Sequence, residues 1–284
     1  MTQFLLASSA TILQATLVEY DRTGTVEAEY GDFCVEGSVV TLAHHGSRSH
    51  NPAPCLRDDG DLALDVVGLS HLDLDALGGC LALVGRKPEA PGFWELAAFV
   101  DIHGAHKLHV SGASAEHLRA LHAWWAWSEA NRVYAPRDGS ILNVTNAVWT
   151  ASEALARILS GSITLLNAGD AWKKAADALN ADSFVEPVGD VCIRVSSKFV
   201  NHMYCGPDGR EYKAVVSLNP RTGACTVSFA DTPEGEGARG IVQSMWGPEA
   251  GGHVGIAGSP RDRRMQLVDV AEAAVRTAHF LGSL

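Results

Sequence analysis

The chain has 284 residues, 46% of them apolar and 19% charged, with a net charge of −11 at pH 7. That balance excludes a disordered or fibrous chain and predicts enough core for about two domains. It also excludes a coat for long nucleic acid, which needs a basic footprint, although bound cations can still supply positive charge locally for a short charged substrate.

Met1 to Leu17 carries neither a basic leader nor a cleavage pattern, and no run of about 18 apolar residues occurs. No membrane span and a cytoplasmic location are therefore expected. Residues 11–45 hold short alternating bursts, Ile12-Leu13-Gln14, Thr25-Val26-Glu27 and Ser38 to Leu42, punctuated by Gly24, Gly31 and Gly37. This pattern predicts β-hairpins. Gly46 to Gly60 reads as a loop, and Leu62 to Leu69 as a strand leading into a helix near Ala76. Trp94 to Val100 is expected to be a second buried strand, stopping at Asp101-Ile102-His103-Gly104.

From Ser114 to about Leu166 the apolar spacing lengthens to that of helices, with Trp124, Trp125 and Trp127 as core and rim of one of them. Strands resume after Phe184, at Val191–Val195, Tyr212–Leu218 and Thr226–Phe229, separated by the turn sequences Pro207-Asp208-Gly209 and Asn219 to Gly223. Met265 to Leu281 closes the chain with a helical pattern. The expected fold is α/β: a parallel-sheet catalytic domain over residues 1–183, and a smaller α+β domain over 184–284. The six scattered cysteines (Cys34, Cys55, Cys80, Cys192, Cys205 and Cys225) form no C-x-x-C pair and are expected as reduced thiols.

Four polar clusters carry the chemistry. On an extended segment His71, Asp73 and Asp75 share one face, and a carboxylate-rich set of this kind suits Mn²⁺ or Mg²⁺; the competing reading makes Asp73 or Asp75 a helix cap. Asp101 and His103 would share a face at the end of the second strand, with His106 nearby. His44 and His45 follow the strand ending at Leu42, where one could face the metals and the other donate to a leaving-group oxygen. Gly251, Gly252 and His253, preceded by Arg239, would let backbone amides and a guanidinium approach an anion.

The segment Ser70 to Gly79 resembles the first motif of the DHH phosphoesterase superfamily, and Gly251-Gly252-His253 through Gly258 is similar to the glycine-rich motif of its small C-terminal substrate-binding domain. The resemblance implies a two-metal site, with Mn²⁺ or Mg²⁺ as a pair and a water attacking phosphorus. His71, Asp73, Asp75, Asp101 and His103 would then be metal ligands. His44, His45 and His106 would be catalytic, and Arg239, Gly251, Gly252 and His253 would grip a substrate phosphate. No literal Asp-His-His occurs; its place falls either to His44-His45 in a rearranged strand order or to His103 and His106, with Asp170 as a later aspartate. The expected substrate is a small phosphorylated molecule such as a nucleotide or short oligonucleotide, and a homodimer stays open. Two alternatives stand beside this: a phosphate- or nucleotide-binding module without catalysis, and a metallo-β-lactamase-like hydrolase, whose zinc site needs histidines where Asp73 and Ala76 stand.

Overall fold

In a computed structural model, residues 2–31, 33–45, 48–136 and 138–283 are described. Gly46 and Ser47, at the start of the expected loop, lie outside them. The chain divides into two compact units, Met1–Lys173 and Lys174–Leu284.

In the first unit β1 (Gln3–Leu6) leads into α1 (Ala10–Leu17), then β2 (Thr23–Val26), a short hairpin of β3 (Glu29–Tyr30) and β4 (Phe33–Cys34), β5 (Val40–Leu42) and β6 (Val66–Leu69). Next come α2 (Leu74–Leu83), α3 (Pro91–His103), α4 (Ala115–Ala130), β7 (Leu142–Asn143) and α5 (Thr145–Leu159). The division between units falls within α6 (Ile163–Ser183). The sheet order is β5-β2-β6-β1-β7; its first four strands are parallel and β7 runs antiparallel beside β1.

Strand alternation sorts the core onto the two faces. Phe4, Leu6, Val67 and Leu69 pack under α2 to α5, whereas Leu5 and Val66 pack with Leu13 and Leu17 of α1. The α/β class is thus as expected, with two local corrections. Ile12-Leu13-Gln14 lies in a helix, because Leu13 and Leu17, four apart, bury one stripe. Among the described residues of that region only β3–β4 is a hairpin; β2 and β5 are parallel neighbours.

A further correction moves part of the site. Trp94–Val100 is helical: Pro91 presets the first turn, Ala and Leu favour its continuation, and Gly104, at φ 83°, ends it. Phe93, Trp94, Leu96, Ala97 and Ala98 bury while Glu95 stays exposed, a helical and not an alternating pattern.

The second unit has the end of α6, a six-stranded sheet and two further helices. Its strands are β8 (Phe184–Val188), β9 (Val191–Val195), β10 (Ala214–Asn219), β11 (Ala224–Phe229), β12 (Gly251–Gly252) and β13 (Ile256–Gly258), in the order β12-β13-β11-β10-β9-β8. The strands, the turn at 219–223 and the last helix follow the sequence reading. Only β9 and β10 pair in parallel. α7 (Gly237–Trp246) and α8 (Leu267–Phe280) cover one face of the sheet. Under the other face Arg194 is fully buried, and its guanidinium donates to the carbonyls of Met203, Asn180 and Cys205, to Asn180 Oδ1 and to Ser183 Oγ. None of the six cysteines is in a disulfide. Among the described residues, no helix is long and apolar enough to cross a membrane.

Candidate metal centre

Three parallel strands of the first unit deliver polar residues at their carboxyl ends, where open α/β sheets place their sites. β2 is followed by Glu27, β5 by His44 and His45, and β6 by Ser70 and His71. Glu27 adopts φ 50°, a left-handed conformation that costs a non-glycine residue energy, and its side chain is only 1% exposed. Its amide donates to Leu42 O, 2.9 Å away, and Ser70 Oγ donates to its carbonyl, tying the three strand ends together.

Two helices complete the cluster. Asp73 caps α2, its Oδ1 accepting from the Ala76 amide at 2.9 Å. Asp75 therefore lies inside the first helical turn, and its side chain is turned away from solvent. Its Oδ1 accepts from the Cys55 amide at 2.9 Å, and its Oδ2 lies 3.3 Å from His44 Nε2. Gly78 and Gly79 allow this approach. A Cβ on Gly78 would sit 2.5 Å from Cys55 Cβ, and one on Gly79 would sit 2.7 Å from Pro54 Cβ. The paired glycines thus serve the packing of α2 on residues 54–56. From the last turn of α3, Asp101 Oδ2 reaches His44 Nε2 at 3.0 Å and His45 Nε2 at 3.6 Å.

His44 stands at the centre, its Nε2 also 3.4 Å from Glu27 Oε1, while His45 Nε2 lies 3.0 Å from Glu27 Oε2. These atoms are close but not aligned as hydrogen bonds. Both Glu27 carboxylate oxygens, Asp75 Oδ2, Asp101 Oδ2 and His44 Nε2 are buried without a hydrogen-bond partner. Buried carboxylate oxygens that converge on imidazole nitrogens without an aligned hydrogen bond among them form a set that a cation could satisfy. Two overlapping sets, Glu27-His44-His45 and His44-Asp75-Asp101, could each hold a metal ion. The donor set of carboxylate oxygens and imidazole nitrogens fits such an ion.

Charge crowding perturbs every imidazole here. Burial opposes the charged form of His44, yet Asp101, Asp75 and Glu27 outweigh it and lift the group to about 10. Glu27 lifts His45. Burial also opposes charging His71, but Asp73, Glu27 and Asp101 raise it to about 9. Glu27 itself is pushed up, chiefly by burial and further by the Asp75 charge, with His45 and His44 pulling the other way.

The sequence-derived candidates therefore separate. His44, His45, Asp75 and Asp101 come together. His71 and Asp73 form the rim, 3.3 Å from each other, with His71 Nε2 3.8 Å from Glu27 Oε2. His71, Asp73 and Asp75 do not share one extended face, because the helix begins at Leu74 and turns Asp75 inward. His103 is not in either metal-capable set among the described residues. Two positions after Asp101 on a helix, it points elsewhere, and its ring lies 4.7 Å from that of Phe99. His106 sits in the short turn after α3, also outside both sets. Asp170 is held on the surface by Arg119, whose Nε donates to Oδ1 at 3.0 Å and whose Nη2 donates to Oδ2 at 2.7 Å.

In the second unit Gly251 and Gly252 pair with Gly258 and Ala257 as an exposed edge hairpin, and His253 and Arg239 are exposed. Among the described residues no hydrogen bond or ion pair joins Arg239 to His253. The residue missed from the sequence is Glu27. Its one signal was an acid directly after a buried strand, and the hairpin reading of residues 11–45 hid it. No known family's sequence profile matches the chain, and no curated protein is significantly similar to it.

Proposed function

We propose that the first unit is a metal-dependent phosphoesterase acting on a small phosphorylated molecule. The observation that carries this reading is the set of unpartnered oxygens of Glu27, Asp75 and Asp101 around His44 Nε2. With their imidazoles neutral, the four carboxylates of Glu27, Asp73, Asp75 and Asp101 hold four negative charges, which two divalent cations would balance. Oxygen-rich donors with a minority of imidazole favour Mn²⁺ or Mg²⁺ over the histidine-rich zinc set of a metallo-β-lactamase-like hydrolase. When bound, such a pair supplies positive charge to the phosphoryl oxygens and lowers the pKa of the attacking water.

The protein's own groups do the rest. Glu27, His44, Asp75 and Asp101 would hold the cations from four different chain segments. In hydrolysis the water oxygen forms a new P–O bond as the ester P–O bond breaks. The water's proton leaves to solvent, and the leaving oxygen takes a proton from an imidazolium at the mouth. His71 lines the cavity beside the cluster and suits that donor role. The reading keeps the resemblance to the DHH superfamily, with His44-His45 taking the histidine pair in a rearranged strand order.

The test is turnover of bis-p-nitrophenyl phosphate and short dinucleotides with added Mn²⁺. Activity that is removed by EDTA and by Asp75→Asn, in protein that remains folded, is the expected result. Full turnover by Asp75→Asn, or none by the wild type with any divalent cation, would overturn the reading.

A further inference from the structure

A cavity of about 560 Å³ opens beside the cluster, within the size range of sites for a single small molecule. Asp75 and Asp101 form its acidic end. Trp124 and Trp127 of α4 form an aromatic wall, their ring centroids 5.3 Å apart and their planes 31° from parallel. At its rim the Arg132 guanidinium lies 5.9 Å from the Tyr134 ring centroid, and that tyrosine is 71% exposed. Arg132 is the sole Lys or Arg among the described lining residues.

Trp124 is buried in the core, whereas Trp127 is only partly buried: it packs against the core and also lines the cavity. Indole and phenol faces stack on any planar ring and need no particular hydrogen-bond pattern to do so. A phosphate held at the acidic end by cations would place its organic substituent along this wall.

We propose that the cavity is the subsite for the organic part of the substrate, and that it takes one planar aromatic ring joined to the phosphate directly or through a single sugar. Trp127 and Tyr134 are its specificity-determining residues. The inference rests on the phosphoesterase reading for the phosphate end alone; the ring end stands on the aromatic wall.

Calorimetric titration of the whole chain with adenosine 5′-monophosphate, ribose 5-phosphate and adenosine, each with Mn²⁺ and with EDTA, separates the two ends. Stacking on one ring predicts that the adenylate binds on the order of tenfold or more tighter than ribose 5-phosphate. Trp127→Leu should collapse that ratio toward one, and so should Tyr134→Ala, whose exposure makes misfolding no explanation. Equal affinity for the adenylate and ribose 5-phosphate overturns the ring subsite while leaving the phosphate site standing. Binding of adenosine with no added gain from the phosphate and Mn²⁺ keeps the ring subsite and sinks the phosphoesterase reading. Binding of none of the three overturns both.

Discussion

Asp75→Asn isolates the cation requirement from the fold. The substitution keeps Oδ1, which accepts from the Cys55 amide at 2.9 Å, so the contact between α2 and residues 54–56 survives. It replaces Oδ2, 3.3 Å from His44 Nε2, with an amide nitrogen that cannot ligate a cation. In the metal-free protein the variant loses one partner of His44 but also one like charge beside Glu27, two effects of opposite sign. Its melting temperature without metal should therefore stay close to that of the wild type. At a cation concentration a hundredfold above Kd, binding stabilises the wild type by about 2.7 kcal/mol. For a unit of this size each kcal/mol moves Tm by about 2–4 °C, giving a rise of about 5–11 °C. Differential scanning fluorimetry with millimolar Mn²⁺, Mg²⁺ and Zn²⁺ measures the shift. The reasoning fails if no cation moves the wild-type Tm, or if Asp75→Asn shifts by as much as the wild type.

Three further outcomes follow from the same geometry. His44 has a folded pKa near 10, above its ordinary value of 6.5, so its stabilising contribution is complete below about pH 6.5 and is lost as pH rises through 10. Metal-free protein should lose stability across that window. Metal-loaded protein should not, and calorimetry in buffers of different ionisation enthalpy should show proton release on binding at pH 7. Gly78→Ala should cost about 1–3 kcal/mol in urea unfolding and weaken cation binding, because the new Cβ meets Cys55 and displaces the helix that carries Asp75. Arg194→Met should lower the stability of the second unit by about 3–5 kcal/mol, because it removes the buried guanidinium that donates to the carbonyls of Asn180, Met203 and Cys205 and to the Asn180 and Ser183 side chains. Arg194→Lys should not rescue it, since an ammonium lacks the planar five-donor fork; denaturant melts of both variants check this.

Periodicity made the second unit readable. Its strands alternate, its turns carry Pro, Asp, Asn and Gly, and no long-range pairing is needed to recognise them. The parallel sheet of the first unit was legible as a class. Its members were harder, since a short buried run such as Trp94–Val100 has the same composition as a buried helix, and periodicity alone does not separate the two. Only Pro91 and Gly104 distinguished them. That error propagated to the site: reading Asp101 and His103 as strand neighbours gave them one face, whereas the helix separates them. Asp101 still reached the cluster, because the end of α3 and the ends of the strands meet at the same edge of the sheet. Glu27 was invisible for a different reason. Its role depends on a positive φ and on β6 lying between β1 and β2, neither of which is written in any local spacing.

The same topology accounts for how carboxylates can be gathered in so little space. Glu27, Asp75 and Asp101 come from β2, α2 and α3, and each is fixed by contacts unrelated to the others: the Leu42 carbonyl for the Glu27 backbone, the Cys55 amide for the Asp75 side chain, and the core packing of α3 for Asp101. Mutual repulsion cannot splay groups anchored in this way without unpacking a helix or a strand. Folding therefore does the electrostatic work of bringing the acids together, and protons on His44 and His71 offset part of it in the metal-free protein. A cation that displaced those protons would meet ligands already in position, which would lower the ordering cost of binding.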